Sequence, residues 1–284
     1  MNVLTVDVED YYQTNGLNVP INSWSRFENR VENNTIKLLE RFEKHNIKGT
    51  FFIVGHVAKQ FPSLIKQIVQ KGHEVGSHSN MHRMLTSMDA NSFREDIRTS
   101  KILIEDISGQ AVIQYRAPSW SLNPERYEWL GILEEEGYLI DSSIQPFHTP
   151  LSGSSNAPIM PFRPIINGRQ YSIVEYPSTV WSWGPIRIPF SGGLYLRVMP
   201  NLIIKSLMKF VNQTRPGMIY IHPWEIDAAQ PRIPASLLIR FAQYYRLDST
   251  EAKLEWLLGQ FDLKPLGYVV DVLSRESKIP NVAL

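Results

Sequence analysis

Over the first 145 residues, short apolar runs alternate with stretches of helical periodicity. Residues 2–8 read as a strand, buried on both sides near its start, with a loop containing Trp and Asn behind it to about Asn33. Ile36, Leu39 and Phe42, with Leu38 beside them, then recur at helical spacing up to a stop near Asn46. Residues 50–54 form a second strand closed by Gly55. Pro62 opens a helix whose inner face is Leu64, Ile65, Ile68 and Val69, and Gly72 ends it. A strand at 73–76 delivers Ser77 and His78. The alternation continues with a helix over 91–107, a strand at 113–116, a helix over 124–136 and a strand at 138–141. Strands separated by helices of this length predict a parallel sheet with crossover connections.

From His148 to Met199 that pattern is lost, and Trp181, Trp183, Phe190 and Tyr195 are interleaved with Pro, Gly and Ser. A long functional loop region or an embedded hairpin is expected there. Order resumes with a helix near 202–211 and a strand at 218–222. In the tail, Asp248 and Glu251 have the spacing of a capping box ahead of Leu254, Leu257 and Leu258. No internal repeat and no clear linker is visible.

Composition narrows the class. The 284 residues are enough for one large α/β domain or two smaller ones, and a net charge of +1 gives no overall field for nucleic acid or anionic membrane. With no cysteine, disulfides, thiolate metal sites and cysteine nucleophiles are excluded. No apolar run approaches the length of a membrane span, and no leader pattern is present, so a cytoplasmic location is expected.

The candidate chemistry lies where polar residues meet strand ends. Asp7, His78, Arg116, Asp141 and His222 each sit at or just past the C-terminal end of a predicted strand, the edge where parallel α/β folds assemble active sites. His78 and His82, four apart, fit one face of a helical turn and can share a metal ion. Glu9 or Asp10 is a candidate third ligand, which would leave positions open for water and substrate. Asp7 and Glu9 point to the same face of an extended strand, with Asp10 at the turn. Arg116, stiffened by Pro118, is placed to pair with Asp7. His222 is a candidate general acid, with Asp141 as its prospective partner. Trp120, Trp181, Trp183, Trp224 and Tyr195 are candidate sugar-stacking walls, or loop-anchoring core.

Taken together, these segments resemble the carbohydrate esterase family 4 polysaccharide deacetylases, the NodB-homology fold. The motifs run in the family's order: 5–10, 78–82, 116–120, the region of Asp141, and 219–222. The stretches at 7–13, 192–195 and 222–227 are similar to a subgroup encoded with exopolysaccharide and exosortase systems, which carries an extra C-terminal segment. The resemblance implies a distorted (β/α)7 barrel over 1–230, including the aromatic loop region, with a helical extension over 231–284 packed on it. It also implies one divalent ion, zinc by preference, and hydrolysis of N-acetyl groups on hexosamine residues of a polysaccharide. Where the family has two adjacent aspartates, Val8 stands in the second position, so the acidic ligand falls to Glu9 or Asp10, with Glu9 favoured. The family's Asp-to-Trp form of the fourth motif is absent, and Asp141-Ser142-Ser143 stands there.

In the implied reaction Asp7 is the base steered by Arg116, rim N–H groups hold the oxyanion, and His222 protonates the departing amine. Two other readings stay open: a C–N hydrolase of the same fold acting on a small amide or ureide, and a non-catalytic glycan-binding module. A Ser-His-Asp hydrolase is disfavoured, because the chain has no Gly-x-Ser-x-Gly elbow.

Overall fold

The computed structural model describes residues 1–284. Its strands are β1 (Asn2–Val8), β2 (Thr50–Ile53), β3 (Glu74–Ser77), β4 (Gln114–Tyr115), β5 (Ile140–Asp141), β6 (Arg163–Ile166), β7 (Arg169–Gln170), β8 (Val174–Glu175), β9 (Val180–Trp183), β10 (Ile186–Pro189), β11 (Met218–Ile221), β12 (Leu263–Lys264) and β13 (Asn281–Ala283). Seven of them run parallel in the order β11-β1-β2-β3-β4-β5-β8. The result is a curled half-barrel, the distorted (β/α)7 architecture expected. β1 is central and every one of its residues is buried, including Thr5 and Asp7, which alternate with Leu4, Val6 and Val8.

The helices are α1 (Val31–Lys44), α2 (Gly55–Gln60), α3 (Pro62–Gln70), α4 (Ala90–Ser108), α5 (Trp129–Glu135), α6 (Gly193–Val198), α7 (Asn201–Val211), α8 (Leu237–Tyr244), α9 (Leu247–Gln260) and α10 (Leu266–Arg275). Their apolar stripes face the sheet. Leu38, Leu39 and Phe42 of α1 have no exposed surface, and burying each such side chain is worth about 1.5–3 kcal/mol. α4 starts where Asp89 accepts from the Ser92 amide and stops at Gly109, whose φ of 68° is the left-handed conformation glycine tolerates.

The tail departs from expectation in detail. α9 begins at Leu247 behind Arg246, and Asp248 makes no cap. Glu251 reaches across to Arg41 instead of closing a capping box. A long-range ion pair has taken the side chain that local spacing assigned to the helix's own amides. Further on, β12 pairs with the first residues of β1, and β13 pairs with β6. The aromatic region contains β6 to β10 and α6, with β9 and β10 as the embedded hairpin.

Candidate active site

Three side chains converge past the ends of β1 and β3. Glu9 Oε2 contacts His82 Nε2 and lies 4.0 Å from His78 Nε2, and the ligand-type atoms of the three all fall within 4.8 Å of one another. Expected on a helical turn, the two histidines stand instead on an irregular loop, with left-handed backbone at Ser79 (φ 67°) and His82 (φ 50°). That strained path is held by backbone bonds from Gly55 N to Ser79 O and from His56 N to Asn80 O, and by Asp96 on the Asn80 amide. The two segments pack closely there, since a Cβ on Gly55 would meet Asn80 Oδ1 at 2.4 Å and its Cα at 3.0 Å.

The donor set fits a metal ion. His78 Nδ1 donates to the Arg116 carbonyl and His82 Nδ1 to the Gln13 carbonyl, each at 2.8 Å, so each Nε2 presents its lone pair. His82 Nε2 is buried and its one partner is the Glu9 carboxylate. Burial pushes the Glu9 carboxyl up, but His82, His222 and His78 outweigh it and hold the group well below the usual range. Two imidazoles and one carboxylate match a catalytic zinc-type site in number and chemistry.

Beside this cluster, Asp7 is fixed by Arg116. Arg116 Nη1 donates to Asp7 Oδ1 at 2.6 Å and to Thr5 Oγ1 at 2.8 Å, and Nη2 donates to Ser142 Oγ at 3.0 Å. The guanidinium is fully buried between the Phe52 and Trp120 rings, 4.2 and 4.3 Å from their centroids. With Oδ1 so engaged, Asp7 Oδ2 is turned toward the histidines, 3.8 Å from His222 Nε2 and 4.0 Å from His78 Nε2.

His222 follows β11 and closes the opposite side. Its Nδ1 pairs with Glu225 Oε1 at 2.7 Å, and Glu225 also accepts from the His222 amide. Glu225 Oε2 lies 2.9 Å from Arg197 Nε, while the Arg197 Nη atoms donate to the carbonyls of Ala242, Gln243 and Tyr245 at the end of α8. Burial pulls the His222 imidazole down, but Glu225, with Glu9 and Asp7, lifts it to about 9. At neutral pH it is an imidazolium with Nε2–H directed at the cluster. At 15 % side-chain exposure it is also the most accessible of these groups, which places the approach for substrate on its side.

Several sequence expectations are corrected. Asp10 is no ligand: it accepts from the amides of Tyr11, Arg30 and Val31, capping the turn after β1 and the start of α1. Asp141 does not partner His222. It sits on β5 in register with Glu175 of β8, both buried, accepting from Ser143 Oγ. Glu225 and Arg197 are the groups that sequence reasoning missed. The His-x-x-Glu spacing of 222–225, a turn in which the acid caps its own histidine, was the available signal for the first. Trp120 lies behind Arg116, and Trp224 stacks on His222 while donating Nε1–H to Glu9 Oε1 at 3.0 Å, so both support the site from within. Trp181 and Trp183 belong to the hairpin, where Trp181 packs on Phe210 of α7, and Tyr195 meets Phe147 edge-on. A cleft of ≈ 570 Å³ opens at the other, N-terminal ends of β3, β4, β5 and β8 and holds none of the site residues.

Known proteins give this geometry a lineage. The family model for polysaccharide deacetylase matches residues 22–130, and that for a domain of unknown function, DUF3473, matches residues 142–271. Peptidoglycan-N-acetylmuramic acid deacetylase PdaA of Bacillus subtilis is 36% identical over 93 residues, 32% of this chain and 35% of that one. An uncharacterized 30.6 kDa protein of Geobacillus stearothermophilus is 34% identical over 113 residues, 39% of this chain and 42% of its own. The matches thus span less than half of either relative. A crystal structure of a polysaccharide deacetylase candidate from Mycobacterium smegmatis superposes with a TM-score of 0.64 at 19% identity, covering 99% of this chain and 92% of that one, which establishes the shared fold. Residues 22–130 thus match the polysaccharide deacetylase model and residues 142–271 the DUF3473 model, and the second segment brings Arg197, His222 and Glu225 to the site.

Proposed function

We propose that the protein is a metal-dependent hydrolase that removes N-acetyl groups from hexosamine residues of a glycan. The observation that carries this reading is the opposition of Asp7 Oδ2 and His222 Nε2 at 3.8 Å along one side of the Glu9–His78–His82 cluster. Amide hydrolysis needs a base for the attacking water and an acid for the departing nitrogen, and a carboxylate facing an imidazolium supplies both. A zinc ion held by Glu9, His78 and His82 would supply Lewis acidity toward the acetamide oxygen and the water. Asp7, oriented by the Arg116 Nη1 bond to its Oδ1, takes the water's proton. His222 gives its Nε2 proton to the leaving amine, and Glu225 stabilises the charge it carries beforehand. The buried shell of Trp120, Trp224 and Arg197 holds these groups in place.

The named deacetylase relatives support the reaction class, and the stretches at 7–13, 192–195 and 222–227 support an exopolysaccharide substrate over peptidoglycan. Acetate release from poly-N-acetylhexosamine and from peptidoglycan strands, measured with zinc content by elemental analysis, tests both parts. His78→Ala is expected to lose bound zinc and acetate release together. Unaltered turnover in that variant sinks the metal assignment, and equal turnover of the two polymers sinks the substrate assignment.

A further inference from the structure

The chain's near-zero net charge conceals a strong local asymmetry. Residues 176–247 carry eight Lys or Arg against two acids, Glu225 and Asp227; both acids and the Arg197 that pairs with Glu225 are buried, which leaves seven basic groups outside that pair, whereas the remaining residues carry 21 basic against 26 acidic. Between Glu175 and Glu225 there is no acidic residue at all. The same segment holds ten of the sixteen large apolar side chains exposed on the molecule.

Part of this surface is contiguous. The β9–β10 hairpin packs on α7 through Trp181 and Phe210, whose rings lie 5.9 Å apart, and presents Trp183 at 71% exposure with Ile186 beside it. On α7, Leu202 (77% exposed), Ile203 and Phe210 fall on one side of the outer face, and Lys205 and Lys209 flank them. Ile204, Met208 and Val211 bury the inner face. An apolar stripe edged by two exposed lysines, Lys205 with its ammonium on Gln260 Oε1 at 2.9 Å and Lys209 one turn on, is the composition of an interfacial helix. A second copy of the chain would set lysines against lysines, whereas anionic headgroups complement them.

We infer that α7 and the β9–β10 hairpin form a docking surface for an anionic lipid bilayer, lying in the headgroup layer without crossing it. No helix is long and apolar enough to cross a membrane. Docking there would hold the enzyme beside glycan that is still close to a lipid surface. This inference stands on the surface alone and does not rest on the proposed chemistry.

The test is flotation of the full chain with vesicles of phosphatidylcholine alone and with vesicles containing phosphatidylglycerol. Binding is expected to the anionic vesicles and to weaken with salt. Lys205→Glu with Lys209→Glu should weaken it by at least about 25-fold, near fivefold for each basic residue lost at an anionic surface. Leu202→Ser with Ile203→Ser, both exposed and outside the Trp181–Phe210 contact, should weaken it as well. Acetate release from a soluble oligosaccharide and the thermal unfolding transition should stay unchanged in both pairs, which separates a docking defect from misfolding. Failure to float with anionic vesicles overturns the proposal, as does equal binding by wild type and both pairs. Light scattering that shows a wild-type dimer dissolved by the same substitutions also overturns it, making a second copy the occupant.

Discussion

Replacing Glu225 by Gln isolates what its charge does for His222. The Gln carbonyl can still accept from Nδ1–H, so the ring orientation survives while the anion is gone. In the wild type the imidazole is lifted to about 9, chiefly by the Glu225 hydrogen bond and charge acting against burial. Without that anion only Glu9 and Asp7 are left to oppose burial, and the group falls toward its ordinary value of ~6.5. At pH 7 the protonated fraction then drops from nearly all toward about a quarter, a loss of up to about fourfold in acid form. At pH 8.5 the same shift costs up to about 70-fold. If His222 is the acid, the basic limb of the kcat/KM profile should move down by up to about two pH units, with zinc content intact. An NMR titration of the His222 ring gives the same shift independently of turnover. A loss of activity equal at both pH values, or an unmoved ring titration, would refute the electrostatic role and leave Glu225 a packing residue.

Other consequences are separable. Glu9→Gln should lose the metal. Asp10→Ala should keep it but lose about 2 kcal/mol or more of stability on chemical denaturation, because three backbone amides lose their acceptor. Arg197→Met strips the buried Glu225 of its guanidinium, and a cost of about 3–5 kcal/mol is expected in the unfolding free energy. Asp141 and Glu175 face each other in the core, and burial pushes both carboxyls up, so the pair binds in the folded state protons that the unfolded chain releases at lower pH; its contribution favours folding in acid and is lost as pH rises. Asp141→Asn should flatten that fall in melting temperature while keeping acetate release, since Asp141 does not touch His222.

The strands and the amphipathic helices were legible because each signals through its own residues: β1 by Val3, Leu4, Val6 and Val8 ahead of the acids, α1 by Leu38, Leu39 and Phe42 at helical spacing. Asp7, Glu9, His78, Arg116 and His222 were legible for a related reason, being polar groups placed just where buried strands end. What stayed hidden depends on contacts distant in sequence. Which acid reaches His222 is decided by the turn at 222–225 and by Arg197, anchored to the end of α8 some 45 residues away. Whether Glu9 or Asp10 turns inward is decided by the amides of Arg30 and Val31, which hold Asp10 outside the cluster. Tryptophans such as Trp120 and Trp224 look alike in sequence whether they stack on sugar or shore up a buried arginine. Tertiary placement separates the two.

The pairing of β1 has a consequence for how the protein is made. Val3 is matched with Met218 on one side and with Lys264 on the other, so the strand bearing Asp7 has neighbours on both flanks from the far end of the chain. During synthesis β1 emerges early, and β2 and β3 can join it soon afterwards. Its β11 edge stays exposed until more than two hundred further residues have been added, and contacts of such high sequence separation form slowly. An open, apolar strand edge therefore persists while those residues are added, and Asp7 and His222 meet only once β11 has been made. A premature stop ahead of β11 would yield a product with a bare, aggregation-prone sheet edge, and not a weakened enzyme.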